Sequence, residues 1–320
     1  MEAFENRLRK NLARLAPWAK REGIGAWRVY DRDLPEAPYA VDRYGDRVLV
    51  TEYESAVGRR QSRSERAGEI EETGRAIEAV LGVSREAILR KTRTRHRSTE
   101  RRARGDASHE FPVEEHGRRF LVNLVDYLDT GLFLDQRVAR ERLAEIAPGQ
   151  RVLNLFSYTG AFSVYAATGG AREVTSVDLS GTYLAWARRN FEVNGVEPRR
   201  HPLVRADVVD FLRASDATWE TIVLDAPTAS RSSGGHSFDL QSAHPRLLQL
   251  ALARLAPGGR LFFSTNDRRF RLAFSGAEDL SIREITRETT PPDFRHAPHR
   301  AFEVQHGRRL GGAAHGDRYR

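Results

Sequence analysis

The sequence has no cysteine, a single methionine and only three lysines among its 52 basic residues. Lacking cysteine, it can build no disulfide scaffold, thiolate zinc site or iron–sulfur cluster, and no mechanism through a cysteine nucleophile. No apolar run reaches the roughly 18 residues of a membrane span. Residues 1–20 are charged throughout, with no apolar signal core, so neither export nor membrane insertion is expected and the reading is a cytoplasmic protein. Five histidines, His201, His236, His244, His296 and His299, lie scattered without ligand spacing, and no metal is expected. No internal repeat is found. What is present is 320 residues, 40% of them hydrophobic, enough for a real core and for two packed units. The 52 basic residues outweigh 44 acidic ones, and a net charge of +8 favours a polyanionic partner such as nucleic acid, although an anionic membrane would attract it too. Nearly all the positive charge is arginine, which favours bidentate phosphate contact and is equally compatible with a bias of genome composition.

Apolar residues recur with helical period over 5–21, and Gly23 and Gly25 end that stretch. Alternation over 27–30 and 41–53, around Tyr44-Gly45-Asp46, predicts short antiparallel strands. A second helix is expected over 65–81, stopped by Gly82, and a strand over 88–92. Residues 85–104 carry nine basic and two acidic side chains, most of the chain's excess. A charge run is often only a solvated face, but an enzyme-like pattern follows it. Arg90, Lys91, Arg93, Arg95, Arg97, Arg101 and Arg102 are therefore read as RNA contacts. No aromatics are interleaved with them, which suits phosphate contact better than base stacking. Residues 111–123 read as a hairpin, and 131–137 close the first unit and open a helix.

From Arg151 the pattern changes. Strand-like runs at 152–156, 174–177, 203–204, 221–224 and 261–264 alternate with helical segments at 161–167, 182–193, 208–212 and 245–255. This is the pattern of an α/β, doubly wound parallel sheet. A last pair, 282–287 and 301–305, suits an antiparallel closing hairpin. The expected division is 1–133 as an α+β RNA-binding unit, 134–306 as the catalytic domain and 307–320 as a disordered basic tail. Trp18, Trp27, Trp186 and Trp219 are expected in the core.

In such a sheet ligands bind at the carboxyl ends of the strands, near the point where strand order reverses. Asn154 lies in the first strand of this set, and the turn Ser157-Tyr158-Thr159-Gly160 follows it, with a glycine expected to let backbone approach a ligand. The turn is not G-x-G-x-x-G, which weighs against a dinucleotide pyrophosphate. Asp178, Asp207 and Asp225 end the next three strands. Singly, each also suits a helix N-cap or a turn. Together they offer a carboxylate for ribose, a polar partner for an adenine amino group and an acid at the usual place of the reacting groups. S-adenosylmethionine needs that set.

With those residues placed, the sequence resembles the guanine-N7 methyltransferases of large-subunit ribosomal RNA, the RlmK half of the bifunctional RlmKL enzyme, over roughly residues 5–305. The resemblance is carried by Asn6-Arg7-Leu8-Arg9-Lys10-Asn11-Leu12 and by Tyr30-Asp31-Arg32-Asp33-Leu34-Pro35-Glu36. It continues through Asp126-Tyr127-Leu128-Asp129-Thr130-Gly131-Leu132-Phe133-Leu134-Asp135-Gln136-Arg137, Asn154-Leu155-Phe156-Ser157-Tyr158-Thr159-Gly160 and Pro292-Asp293-Phe294. It implies a class I, Rossmann-like methyltransferase with a seven-stranded, mostly parallel sheet, S-adenosylmethionine as donor and ribosomal RNA as acceptor. It implies that Phe156, Ser157, Tyr158, Thr159 and Gly160 line the methionine end, that Asp178 holds the ribose and that Asp207 faces adenine, with Asn154, Leu179 and Ser180 as further cofactor contacts. Asp135 and Arg137 would lie at the site's edge, and Asp225, Pro227 and Thr228 would carry the chemistry. An RlmL-type partner or a second copy of the chain is compatible with it.

The family's fourth-strand motif reads aspartate-proline-proline-threonine-phenylalanine, whereas this chain has Asp225-Ala226-Pro227-Thr228-Ala229, and Ser264-Thr265-Asn266-Asp267-Arg268-Arg269 replaces a family string. Guanine N7 is already nucleophilic, so its methylation needs position rather than a base or a covalent intermediate. Cytosine-C5 methylation, which needs a cysteine nucleophile, is excluded. Two alternatives stay open: a member without catalysis that holds RNA or cofactor as a ribosome assembly factor, and a methyltransferase for another substrate.

Overall fold

The computed structural model describes residues 1–53, 63–93, 107–231, 237–274 and 280–306. Arg95, Arg97, Arg101, Arg102, His236 and the segment 307–320 lie outside the described residues. Helix α1 (Glu2–Arg21) turns Phe4, Leu8, Leu15 and Ala19 inward at helical spacing. Burying such side chains contributes about 1.5–3 kcal/mol for each of the larger ones. Gly23, at φ 63°, stops the helix where an L residue would be strained. Strands β1 (Ala26–Asp31), β2 (Tyr39–Tyr44) and β3 (Arg47–Tyr53) form an antiparallel meander, the β2–β3 turn being made by Gly45 at φ 63°. Helix α2 (Arg63–Leu81) then crosses over, so that β4 (Ile88–Arg93) pairs parallel with β3. The resulting order is β1-β2-β3-β4.

Hairpin β5 (Phe111–Glu115) and β6 (Arg118–Val122) turns through His116 at φ 49° and Gly117 at φ 73°. Two successive left-handed residues match the twist of a two-residue hairpin. One apolar cluster ties the two halves together: Ala26, Tyr44 and Leu49 of the first sheet meet Phe120 and Val122 of the hairpin and Val164, Tyr165 and Phe191 beyond it.

The rest alternates as expected: α3 (Arg137–Ile146), β7 (Arg151–Leu155), α4 (Ala161–Thr168), β8 (Glu173–Asp178), α5 (Gly181–Val193), β9 (Leu203–Arg205), α6 (Val208–Ala214) and β10 (Trp219–Asp225). A small ribbon of β11 (Ala229–Arg231) and β12 (Ser237–Asp239) precedes α7 (Leu240–Leu252) and β13 (Leu255–Thr265). Finally, β14 (Leu280–Glu284), the single turn α8 (Thr286–Thr289) and β15 (Arg300–His306) close the sheet. Its seven strands run β14-β15-β13-β10-β7-β8-β9, all parallel except β15, which is antiparallel to both neighbours. The α/β class and the closing antiparallel pair are borne out. Strand order reverses between β7 and β10, which fixes where a ligand crevice opens.

One helix departs from expectation. Instead of spanning 245–255, α7 begins at Leu240, where Asp239 caps it by accepting from the Ser242 amide, and it contains Pro245. A proline inside a helix deprives the carbonyl four residues earlier of its donor. Here the buried His244 Nδ1 stands 2.9 Å from that carbonyl, Gln241 O, while its Nε2 accepts from the Ala273 amide. Leu255 belongs to the next strand because Trp219 pairs with it. Of the four tryptophans, Trp27, Trp186 and Trp219 are buried, and Trp18 packs half-buried against the N-terminal core.

Candidate active site

Strand β7 ends at Leu155 and the chain turns through Phe156 (φ 56°), Tyr158 (φ 51°) and Gly160 (φ 75°) before α4 begins. Two non-glycine residues in the left-handed region cost of order 1–3 kcal/mol each and persist only where surrounding contacts hold them. Those contacts are specific. Ser157 N donates to Val177 O at 3.0 Å, and Tyr158 N donates to Asp178 Oδ2 at 2.9 Å. Asp178 Oδ1 accepts from Ser180 N at 2.8 Å, and Ser180 in turn caps α5. The two amides thus set the orientation of the Asp178 carboxylate at the end of β8. Beyond it, Leu179 leaves its side chain 36% exposed. At the end of β9, Asp207 caps α6 through Oδ1, which accepts from the amides of Val209 and Asp210, while Oδ2 has no partner among the described residues.

The loop is locked from its other side by 131–133. Thr159, fully buried, donates to Gly131 O at 2.6 Å, and Gly131 N donates to the Tyr158 hydroxyl at 3.1 Å. The Tyr158 ring lies between Phe133 and Tyr183, 5.2 and 4.5 Å away, and burial pushes its hydroxyl well above the usual tyrosine value. Within this lock the Ser157 hydroxyl is buried without a hydrogen-bond partner among the described residues. An orphaned buried hydroxyl costs about 1–3 kcal/mol, which a polar ligand at the loop would remove.

Asp225 ends β10, next to β7 across the reversal point. Its Oδ1 accepts from Ser264 Oγ at 2.5 Å and, at 3.4 Å, from Gln136 Nε2, and its Oδ2 has no partner among the described residues. Burial pushes its carboxyl above the usual value, the Ser264 bond opposes that, and the nearby Asp135 charge adds to it. Asp135 behaves oppositely. Burial would raise its carboxyl as well, but the hydrogen bond and charge of His299, whose Nδ1 lies 3.0 Å from Oδ2, outweigh it and hold it low. Thr228 bonds to Asn266 through its side chain, and Pro227 is half-buried between Ala226 and Thr228.

Three residues do something other than the sequence suggested. Asn154 is 1% exposed and donates to Ser163 Oγ at 2.8 Å, which meets Ser176 Oγ at 2.7 Å, so its side chain joins a polar trio beneath α4. At Gly160 a Cβ would meet no open ligand space but Ala187 Cβ at 2.9 Å, so this glycine serves the left-handed turn and the approach of α5. Arg137, expected at the cofactor's edge, is 1% exposed and committed elsewhere: to Glu115 at 2.9 Å, Asp293 at 3.1 Å and Ala26 O at 2.6 Å. Arg140 joins it on Glu115, as does the Tyr165 hydroxyl. These contacts bolt the hairpin, the first sheet and the 291–294 turn to the start of α3.

Sequence reading missed Gln136, Ser264 and His299 as neighbours of Asp225 and Asp135. Gln136 lies within the 126–137 stretch and Ser264 opens the 264–269 stretch that departs from the family string, while His299 belongs to no motif. His201, one of the scattered histidines, plays a structural part, its Nδ1 accepting from the Val174 amide. Among the described residues no group of three or more His, Asp or Glu could hold a metal, and no helix is long and apolar enough to cross a membrane. Of the arginine window, Arg90 and Lys91 lie on β4 with the backbone of Arg93. Arg90 donates to Ile70 O at 2.9 Å and Lys91 to Tyr127 O.

Compared with known proteins, residues 40–302 match the family described as S-adenosylmethionine-dependent methyltransferase. Ribosomal RNA large subunit methyltransferase K of Neisseria meningitidis serogroup B is 44% identical over 309 residues, 95% of this chain and 87% of that protein. Ribosomal RNA large subunit methyltransferase K/L of Chromohalobacter salexigens is 47% identical over 95% of this chain, which spans only 42% of that longer protein. Among solved structures, a candidate methyltransferase complexed with SAH superposes with a TM-score of 0.78 at 26% identity, covering 95% of this chain and 81% of the other.

Proposed function

The chain belongs to the S-adenosylmethionine-dependent methyltransferases, and from that membership we propose that it transfers a methyl group to N7 of a guanine in large-subunit ribosomal RNA. Its cofactor is S-adenosylmethionine. The donor set fits that molecule: an orphaned Ser157 hydroxyl in a strained turn, a carboxylate oriented by two amides at Asp178 and an open oxygen on Asp207. In this reading Phe156, Ser157, Tyr158 and Thr159 form the cradle for the methionine end, with Gly160 setting the turn that holds them. Asp178, Leu179 and Ser180 meet the ribose, Asp207 takes the adenine amino group, and Asp135 lies at the edge. The unit 1–133 carries RNA through Arg90, Lys91, Arg93 and the arginines that follow, while 134–306 carries the chemistry.

When bound, the cofactor supplies an electrophilic methyl on a sulfonium. The chain's task is to bring guanine N7 in line with it, at about 3 Å, and to tolerate positive charge on the purine. Asp225 carries the reading. Ser264 and Gln136 hold its Oδ1, which leaves Oδ2 to accept from the N1 and N2 protons of a guanine edge. The same carboxylate offsets the charge that grows on the base, in a buried setting where a fixed charge acts strongly. No proton need be removed, and no side chain is required as a base. Pro227 and Thr228, with Thr228 tied to Asn266, shape the wall beside the base.

The test incubates the purified protein with labelled S-adenosylmethionine and undermodified large-subunit rRNA, followed by nucleoside mass spectrometry. The expected product is 7-methylguanosine. A different methylated nucleoside would overturn the position, and cofactor binding without any transfer would overturn the enzyme reading.

A further inference from the structure

The two most exposed large apolar side chains among the described residues are Leu128, at 65%, and Val125, at 51%. Both stand on one loop, 123–130, and that loop is firmly held. Asn123, fully buried, accepts through Oδ1 from the amides of Val125 and Asp126 at 2.9 and 3.0 Å. Its own amide donates to Thr130 O at 3.0 Å and closes the loop. In the middle, Lys91 Nζ donates to Tyr127 O, and the Tyr127 ring packs 5.2 Å from Trp186. Leu124 is buried beneath. The loop therefore does not need to be ordered when something docks, and Leu128 gains nothing from folding by standing in water.

Its position is informative. The loop runs directly into Gly131, whose amide and carbonyl are gripped by Tyr158 and Thr159, so Leu128 stands three residues along the chain from a contact with the turn that follows β7. On its flank lies β4 with Lys91, the start of the arginine window. The loop itself carries Asp126, bonded to Asn123 Nδ2 and to His109, and Asp129. An apolar tip suits unstacked bases, which present apolar faces, while the backbone follows the basic strand.

We propose that the 123–130 loop is an apolar wedge: Leu128, supported by Val125, enters the RNA stack beside the target guanine and fills the space that the extruded base vacates. Proteins that unstack nucleic acid commonly insert such a side chain, because the wedge offsets part of the unstacking cost. The inference rests on the proposal that RNA is the substrate, and it makes that substrate a base-paired or stacked guanine.

The wild-type chain first locates the methylated nucleotide in undermodified large-subunit rRNA. Two short RNAs are then made, with that guanine paired in a stem or unpaired in a loop. Leu128→Ala is expected to lose about tenfold in kcat/KM on the paired RNA and less than about twofold on the unpaired one, with cofactor affinity by calorimetry unchanged. Leu128→Met, which keeps a long apolar tip, should restore the paired rate. Equal loss on both RNAs, or no loss on either, as expected if the tip instead covers a protein, would overturn the wedge while leaving the RNA reading intact. A wild-type chain that methylates no RNA would overturn both.

Discussion

Replacing Glu115 by glutamine removes one negative charge from a fully buried cluster and changes almost no volume. Glu115 accepts from Arg137 Nε at 2.9 Å, from Arg140 Nε and Nη2 at 3.0 and 2.6 Å, and from the Tyr165 hydroxyl at 2.9 Å. With Asp293 as the second carboxylate, the cluster balances two guanidiniums. Glu115→Gln would leave a guanidinium uncompensated at sites 1% exposed and would aim an amide N–H at existing donors. Breaking a buried pair from one side costs about 3–5 kcal/mol. At about 2–4 °C per kcal/mol for a cooperative unit of this scale, the melting temperature should fall by roughly 6–20 °C. Acid supplies a second check. Burial alone would raise the Glu115 carboxyl, but the charges of Arg140 and Arg137 outweigh it and hold it below its ordinary 4.5. A depressed folded value means that the contribution is complete above about 4.5 and is lost as pH falls through the lower folded value. The gap between wild type and variant, read by urea unfolding followed by circular dichroism, should therefore narrow on acidification. A loss under about 1 kcal/mol at neutral pH, or a gap that does not change with acid, would refute the reasoning.

Asp178→Ala should weaken S-adenosylmethionine binding by about tenfold to a hundredfold, since a hydrogen bond to a charged group contributes about 1.5–3 kcal/mol; calorimetry showing unchanged affinity would remove Asp178 from the site. In Ser264→Ala the Asp225 carboxyl loses the donor that opposes its burial, so its already raised value should rise further. Because the ionised form is the one needed, the acidic limb of the rate profile should move to higher pH, with cofactor affinity unchanged; a pH–rate profile identical to wild type would show that Ser264 does not tune Asp225. Gly160→Ala imposes a left-handed alanine at φ 75° and a Cβ 2.9 Å from Ala187 Cβ. It should cost about 2–4 kcal/mol of stability, and a thermal scan within 2 °C of wild type, about half a kcal/mol, would count against that packing argument.

Local patterns carried much of the fold. Helical spacing in 5–21 and 65–81 and alternation in 41–53 are set within a few residues, and each became α1, α2 and β2–β3 with boundaries shifted slightly. The parallel sheet was legible because buried strands read as short apolar runs bounded by glycine and acid. Pro245 misplaced a helix start, since its lost hydrogen bond is compensated by His244, a contact that no spacing rule anticipates. At the candidate site, Asp178, Asp207 and Asp225 are legible in the sequence because they end consecutive strands. Gln136, Ser264 and His299 are not, because they approach Asp225 and Asp135 from the N-cap of α3, from β13 and from the turn before β15.

The sequence by itself determined the elements, their alternation, the switch-point turn and the acids at the strand ends, all of which depend on interactions within roughly ten residues of chain. Only the tertiary structure decided which polar atoms those acids meet. Arg137 faces Glu115 and Asp293 rather than a ligand, Asn154 is turned beneath α4, and Leu128 and Val125 are left in water on a hydrogen-bonded loop. The physical reason is that charge pairing, burial and exposure are set by separations in space, and the partners here lie from 9 to more than 150 residues apart along the chain.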